Sequence, residues 1–172
     1  MQFQDVIEQR YSVRRFDASR PVEPELIQQV LEAGRIAPTA RNNQPQRFFV
    51  ITKPDDLVKM DECTPCRYGA PCVIIASYSN EAAAVHKGTY RGDWTYGEMD
   101  SVSCLVHMML KATDLGLGTC WVGMIDETRI HELFDIPRDN GIYSVLPLGY
   151  PACGPGPRHT QRLPLSDTVT WL

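Results

Sequence analysis

The sequence predicts a mixed α/β layered fold built from short buried strands separated by amphipathic helices. Three observations carry that expectation. Phe48-Phe49-Val50-Ile51 and Val73-Ile74-Ile75-Ala76 are continuous apolar runs rich in β-branched and aromatic residues, as buried central strands are. Between and after them lie segments with apolar residues at helical spacing. Strands and helices that alternate along a chain pack as layers around a shared core. At 172 residues with 43% hydrophobic and 22% charged residues, the chain fits one domain with a core of its own.

Taken in order, residues 3 to 10 read as a short helix with Phe3, Val6 and Ile7 on one face. Glu23 to Ile36 is a clearer one: Pro24 suits a first helical position, Leu26, Ile27, Val30 and Leu31 repeat at helical spacing, and Pro38 ends it. Pro54 to Glu62 reads as a short helix between the two strands. Residues 79 to 99 are polar and aromatic and carry no clear period; Tyr90, Trp94 and Tyr96 either overhang a substrate pocket or pack among themselves. From Asp100, read as a cap, a long helix is expected, with Val102, Leu105, Val106, Met109, Leu110 and Thr113 as its buried stripe and Gly116 and Gly118 as stop residues. His107 sits at the margin of that stripe. A strand over Thr119 to Val122, a helix capped by Asp126 and carrying Ile130, Leu133 and Phe134, and a strand over Tyr143 to Leu148 complete the core. Residues 149–172, with Pro151, Pro155, Pro157 and Pro164, read as an extended arm whose Val169, Trp171 and Leu172 need burial, for instance on a neighbouring subunit.

Net charge of -4 argues against a nucleic-acid partner, because phosphate backbones call for a basic face. No apolar run approaches a membrane span, and MQFQDVIEQR lacks the apolar stretch of an export signal, so a cytoplasmic address is the expectation. The six cysteines (63, 66, 72, 104, 120 and 153) then read as free thiols. Cys63-x-x-Cys66 could be half of a metal site or a redox pair, but no second pair of ligands accompanies it, and no metal is expected. Cys120 reads as a small apolar core residue.

Four segments could carry chemistry. In Arg10-Tyr11-Ser12-Val13-Arg14, an extended backbone projects Arg10, Ser12 and Arg14 to one side, where two guanidinium forks and a hydroxyl suit a phosphate dianion. A solvated basic patch is the alternative. Ala37 to Pro45 is rich in amides that match the donor–acceptor edge of a base or flavin, or it is an ordinary polar turn. In Leu115 to Gly123, glycine permits close approach to a planar ligand and Trp121 supplies an apolar wall, although a helix stop leading into a core strand accounts for the same residues. The glycine spacing is not that of a dinucleotide-binding turn. The tail carries Arg158, His159 and Arg162, which either complete a phosphate site or keep the arm soluble.

Together, in order and across almost the whole chain, these segments resemble the nitroreductase family. The matching stretches are Arg10-Tyr11-Ser12-Val13-Arg14-Arg15-Phe16, Ala37 to Phe48, Gly116 to Gly123, Leu148-Gly149-Tyr150-Pro151 and Arg162-Leu163-Pro164-Leu165. The resemblance implies an α+β fold, with a central, mostly antiparallel sheet flanked by helices and a C-terminal arm swapped in a homodimer that binds FMN at its interface. NADH or NADPH would supply electrons, and nitroaromatics, quinones or related small molecules would accept them. By position, Arg10 and Ser12, with Tyr11 between them, would hold the FMN phosphate with Arg162, and Arg14 would lie at the flavin pyrimidine edge. Pro38, Thr39, Ala40, Asn42 and Gln44 would come from the other subunit. The backbone of Cys120, Trp121, Val122 and Gly123 would line the ring near N5. No side chain is expected as a catalytic acid: the chemistry is flavin-centred, and Arg14 would stabilise the charge that reduction places near N1 and C2=O.

Three departures from the family pattern stand out. Thr160 stands where a basic residue is usual, so either Arg158 substitutes for it or the phosphate is held less tightly. Gln46 stands where a Trp is usual, and the Cys63/Cys66/Cys72 group is extra. Other readings are a flavin-fragmenting or dehalogenating enzyme of the same fold, and a non-catalytic flavin or thiol redox sensor using Cys63 and Cys66.

Overall fold

The computed structural model describes residues 1–88 and 93–172. Tyr90, read above as a pocket or packing residue, lies outside them. A four-stranded sheet forms the middle layer, in the order β1 (Gln46–Ile51), β2 (Cys72–Ser79), β6 (Asn140–Gly149), β5 (Gly118–Thr119), and every pairing is antiparallel. β2 is central because it can be. Its residues 72 to 78 are all buried, so it loses nothing by being covered on both faces. The predicted strands over 48–51, 73–76 and 143–148 are the cores of β1, β2 and β6. That over 119–122 is shorter, with β5 ending at Thr119 and the chain continuing beside β6 through the Cys120 N–H and a bridge from Val122 to Val145.

α2 (Pro24–Arg35) and α4 (Gly97–Asp114) cover one face, where Val30, Leu105, Met108 and Ala112 meet Ile74, Ala76, Leu146 and Leu148. α3 (Pro54–Cys63) and α5 (Glu127–Phe134) cover the other, where Leu57, Met60 and Ile130 meet Val73, Ile75 and Val145. α1 (Phe3–Gln9) packs on the outer side of α4. β3 (Val85–His86) and β4 (Trp94–Thr95) form a separate two-stranded ribbon in the segment that carried no period. Among the described residues, no helix is long and apolar enough to cross a membrane.

Two expectations need correction. α4 starts at Gly97, so Asp100 lies inside its first turn and is not its cap. The stripe that α4 buries is Cys104, Leu105, Met108, Met109 and Ala112, whereas Val106 is 38% exposed. The reason is that α4 carries apolar residues on two sides. One side meets the sheet and α2, and the other opens with Phe3 and Leu110 onto a surface groove beside α1. Asp126 does cap α5, its Oδ1 accepting from the Arg129 N–H at 2.9 Å. Gly116 ends α4 at φ +75°, a conformation open to glycine at little cost.

Candidate functional site

After α1 the chain runs extended beside β5: Ser12 bridges Thr119 in parallel, and the Val13 N–H donates to the Thr119 carbonyl at 2.9 Å. Val13 is fully buried, which anchors its side of this segment in the core. Alternation then turns Arg10, Ser12 and Arg14 outward to the other side. They line a cleft of about 440 Å³ together with Tyr11, Arg158, His159 and Arg162. Two sequence segments about 150 residues apart thus place four guanidinium groups and a hydroxyl around one open space.

The near half of the arm is fastened to its own chain. The Tyr11 hydroxyl donates to the Cys153 carbonyl at 2.6 Å, the Ala152 N–H donates to the Arg15 carbonyl at 2.9 Å, and Arg15 Nη2 donates to the Ala152 carbonyl at 3.0 Å. His159 Nε2 lies 2.9 Å from the Glu8 carbonyl, and its ring meets Tyr11 edge-on at 5.9 Å. His159 therefore both lines the cleft and latches the arm over it. Beyond it the arm stands free of this chain's core, with Leu163, Leu165, Trp171 and Leu172 strongly exposed.

The 115–123 segment adjoins the same region. The Cys120 and Val122 N–H groups are used by β6, donating to the Pro147 and Val145 carbonyls at 3.2 and 3.0 Å. Cys120 is buried, and burial pushes its thiol pKa up while the Arg14 guanidinium, itself in the cleft lining, pulls it down. Gly118 is required by close approach, because a Cβ there would collide with Val13 and lie 2.9 Å from Pro151 Cγ. Trp121 is half-buried against Tyr143, and Gly123 is exposed.

Tyr68 is a neighbour that sequence reasoning missed. Its hydroxyl is pushed toward higher pKa first by hydrogen bonding with Cys66, then by burial, and Arg14 acts in the opposite sense. It reaches there from a left-handed backbone, φ 56°, a conformation with no signature in a single sequence apart from the adjacent Gly69.

The amide-rich loop does not line the cleft of its own chain. Its backbone is unusual: Arg41, Asn42 and Gln44 have φ of 57°, 57° and 49°. Each such residue costs on the order of 1–3 kcal/mol unless surrounding structure imposes it. The pins are visible. The Gln44 N–H donates to Thr39 Oγ1 at 3.1 Å, Asn43 Nδ2 to the Ala82 carbonyl at 3.1 Å, and the Ala40 N–H to Asp100 Oδ1 at 2.8 Å. Pro38, Asn42 and Gln44 remain exposed, with Thr39 and Ala40 half-buried. Gln46, at the position where Trp is usual, reaches back to the Arg35 carbonyl at 3.4 Å.

Among the described residues, no group of three metal-binding side chains occurs around the extra thiols. Burial raises Cys63 to about 11 and Cys72 to about 12, so both stay protonated at neutral pH.

Comparison with known proteins gives this geometry a context. The model of the nitroreductase family matches residues 7–64 and 63–150. A Methanothermobacter thermautotrophicus protein, provisionally described as an NADH dehydrogenase/NAD(P)H nitroreductase, is 34% identical over 163 residues, covering 90% of this chain and 80% of that protein. A nitroreductase family protein of Clostridium difficile superposes with a TM-score of 0.89 at 33% identity, over 99% of this chain and 98% of the other. A Desulfovibrio desulfuricans structure, described provisionally as a nitroreductase in complex with FMN, superposes with a TM-score of 0.79 at 25% identity, over 100% and 97% of the two chains. The family model spans the 10–14 segment of the cleft, the amide loop and the glycine-containing segment alike, and this chain belongs to the nitroreductase family.

Proposed function

We propose that the protein is an FMN-dependent oxidoreductase that takes electrons from NADH or NADPH and passes them to nitroaromatic, quinone or related acceptors. The observation that carries this reading is the convergence of Arg10, Ser12 and Arg14 with Arg158 and Arg162 on one cleft. That donor set fits a phosphate dianion: forked guanidinium donors neutralise it and the hydroxyl adds a neutral hydrogen bond. Arg10, Ser12 and Arg162 hold the phosphate, with Arg158 in place of the basic residue missing at Thr160 and Tyr11 fixing the arm that carries both arginines. FMN, when bound, supplies the hydride and electron chemistry.

The chain's own residues then bind and orient. Arg14 presents a fixed positive charge at the pyrimidine edge, where negative charge gathers as electrons arrive. The backbone from Cys120 to Gly123 lines the ring near N5. Pro38, Thr39, Ala40, Asn42 and Gln44 contribute from the second subunit of a homodimer, in keeping with their absence from the cleft of their own chain. Support for that dimer comes from unsatisfied apolar surface: the groove between α1 and α4 leaves Phe3 69% exposed, and the free arm ends in exposed Trp171 and Leu172. The arm crosses to the partner to bury them.

A second reading has one observation in its favour. A Rhodospirillum rubrum protein named as a 5,6-dimethylbenzimidazole synthase is 23% identical over 94% of this chain, which favours an enzyme of related sequence whose chemistry is not acceptor reduction. The sensor reading relies on Cys63, a buried thiol held well above neutrality. The deciding experiment is an absorbance spectrum of the purified protein followed by anaerobic titration with NADH and NADPH. The proposal expects a yellow protein that bleaches and is recoloured by a nitroaromatic or quinone. A protein that stays colourless and ignores added FMN would refute it, and flavin binding without turnover of either nucleotide would favour the alternatives.

A further inference from the structure

We infer that Asp100 is a positioning residue of the cofactor site, holding the Thr39–Gln44 loop in its binding geometry through the Ala40 N–H. The inference rests on the FMN reading above and adds to it a residue that touches no cofactor atom. Asp100 sits in the first turn of α4, sixty residues from the loop in sequence, and is 5% exposed. Its Oδ1 accepts from Ala40 N–H at 2.8 Å, while Oδ2 is buried without a partner.

That arrangement is costly for a plain structural bridge. A buried carboxylate with one oxygen unpaired loses more hydration than it regains, and burial accordingly pushes the Asp100 carboxyl pKa up. The cost is understandable where the backbone it governs has to be fixed. The two residues that follow Ala40 are both left-handed without being glycine, as is Gln44. Such a run does not persist on local preference, so its geometry is imposed from outside. The other pins are the loop's own turn bonds, Asn42 N–H to the Thr39 carbonyl, Asn43 N–H to the Ala40 carbonyl and Gln44 N–H to Thr39 Oγ1, together with Asn43 Nδ2 donating to the Ala82 carbonyl, Arg47 Nη1 donating to the Gln44 carbonyl and Ser79 N–H of β2 donating to the Pro45 carbonyl just past the loop. Among these, the bond to Asp100 is the one that ties the loop to a long core helix. Without it, Asn42 and Gln44 lose the fixed directions in which their amides are presented.

The test uses full-length protein and two readouts, one of them independent of cofactor. Arg41 is exposed in the middle of the loop and is a trypsin site. Cleavage after Arg41 in the apoprotein should accelerate by about tenfold or more in Asp100→Ala, and the FMN dissociation constant should rise by a similar factor, on the usual weight of a hydrogen bond to a charged group. Asp100→Asn keeps an acceptor at the Oδ1 position and should return both quantities to within about threefold of the parent. Asp100→Ser is a second truncation to use if the alanine variant does not fold. Faster cleavage with unchanged FMN affinity would reduce Asp100 to a structural pin and overturn the inference. So would an Asn variant as impaired as Ala, or truncations that match the parent in both readouts. A parent protein that takes up no FMN would overturn the cofactor reading as well; a parent that binds FMN as tightly as Asp100→Ala does would overturn only the positioning role.

Discussion

Substituting Gly118 by alanine perturbs the point where the sheet supports the cleft. The added Cβ would overlap Val13 Cγ2 and lie 2.9 Å from Pro151 Cγ, against an ordinary carbon–carbon contact of about 3.5–4.0 Å. Neither neighbour has room. Val13 is fully buried and its N–H is bound to Thr119, and Pro151 is bridged to Phe16. One strand must retreat by roughly 1 Å, an overpacking that costs about 1–3 kcal/mol. For a chain of this size that lowers the melting temperature by roughly 2–12 °C. Because Val13 lies between Ser12 and Arg14, the shift also moves two cleft residues, so FMN affinity should fall with stability. Gly123 is the internal control: no atom lies within 4 Å of its Cβ position, and Gly123→Ala should change stability by less than about 0.5 kcal/mol. Thermal and urea unfolding of the two variants, with FMN titration, measures both effects. Equal melting temperatures for Gly118→Ala and the parent would refute the packing argument.

Other outcomes follow from the same structure. Arg10→Ala combined with Arg162→Ala should leave a folded protein that no longer retains FMN on gel filtration; flavin occupancy equal to the parent's would remove the phosphate assignment. At pH 8 in native protein, a thiol reagent should modify exposed Cys153 rapidly and leave Cys63, Cys72 and Cys104, pushed up to about 11, 12 and 11, unreacted until the chain unfolds. Mass spectrometry of the labelled sites checks this. Asp100 has a folded pKa raised above its unfolded value by burial, so its protonated form contributes stability that is complete below about pH 3.8 and is lost as pH rises through the folded value. The parent should therefore lose stability relative to Asp100→Asn over that rise, and a difference independent of pH would contradict the shift.

Much of the core was legible because its signals are local. The apolar runs at 48–51 and 73–76 name strands whatever they pair with, and Pro24, Asp126 and Gly116 punctuate helices by their own backbone chemistry. The basic cleft was half legible: alternation in 10–14 predicted that Arg10, Ser12 and Arg14 share a side, but nothing local says that Arg158 and Arg162 return to them. Asp100 was misread because an acid before an apolar helix looks like a cap, and its partner Ala40 is sixty residues away. The outward stripe of α4 was misread for a related reason. Val106 is apolar whether it faces the sheet or an open groove, and periodicity does not separate two apolar faces on one helix. The left-handed residues Arg41, Asn42, Gln44 and Tyr68 were invisible, since ordinary side chains adopt φ near +55° only under tertiary constraint.

The central claim is that the cleft between residues 10–14 and 158–162 holds a phosphate. Its most direct measurement is the affinity of the apoprotein for FMN against riboflavin, which share the ring and differ in the phosphate. With two charge-assisted contacts at about 1.5–3 kcal/mol each, FMN should bind at least about a hundredfold more tightly, and the preference should collapse when Arg10 and Arg162 are both alanine. Equal affinity for the two ligands would contradict the account.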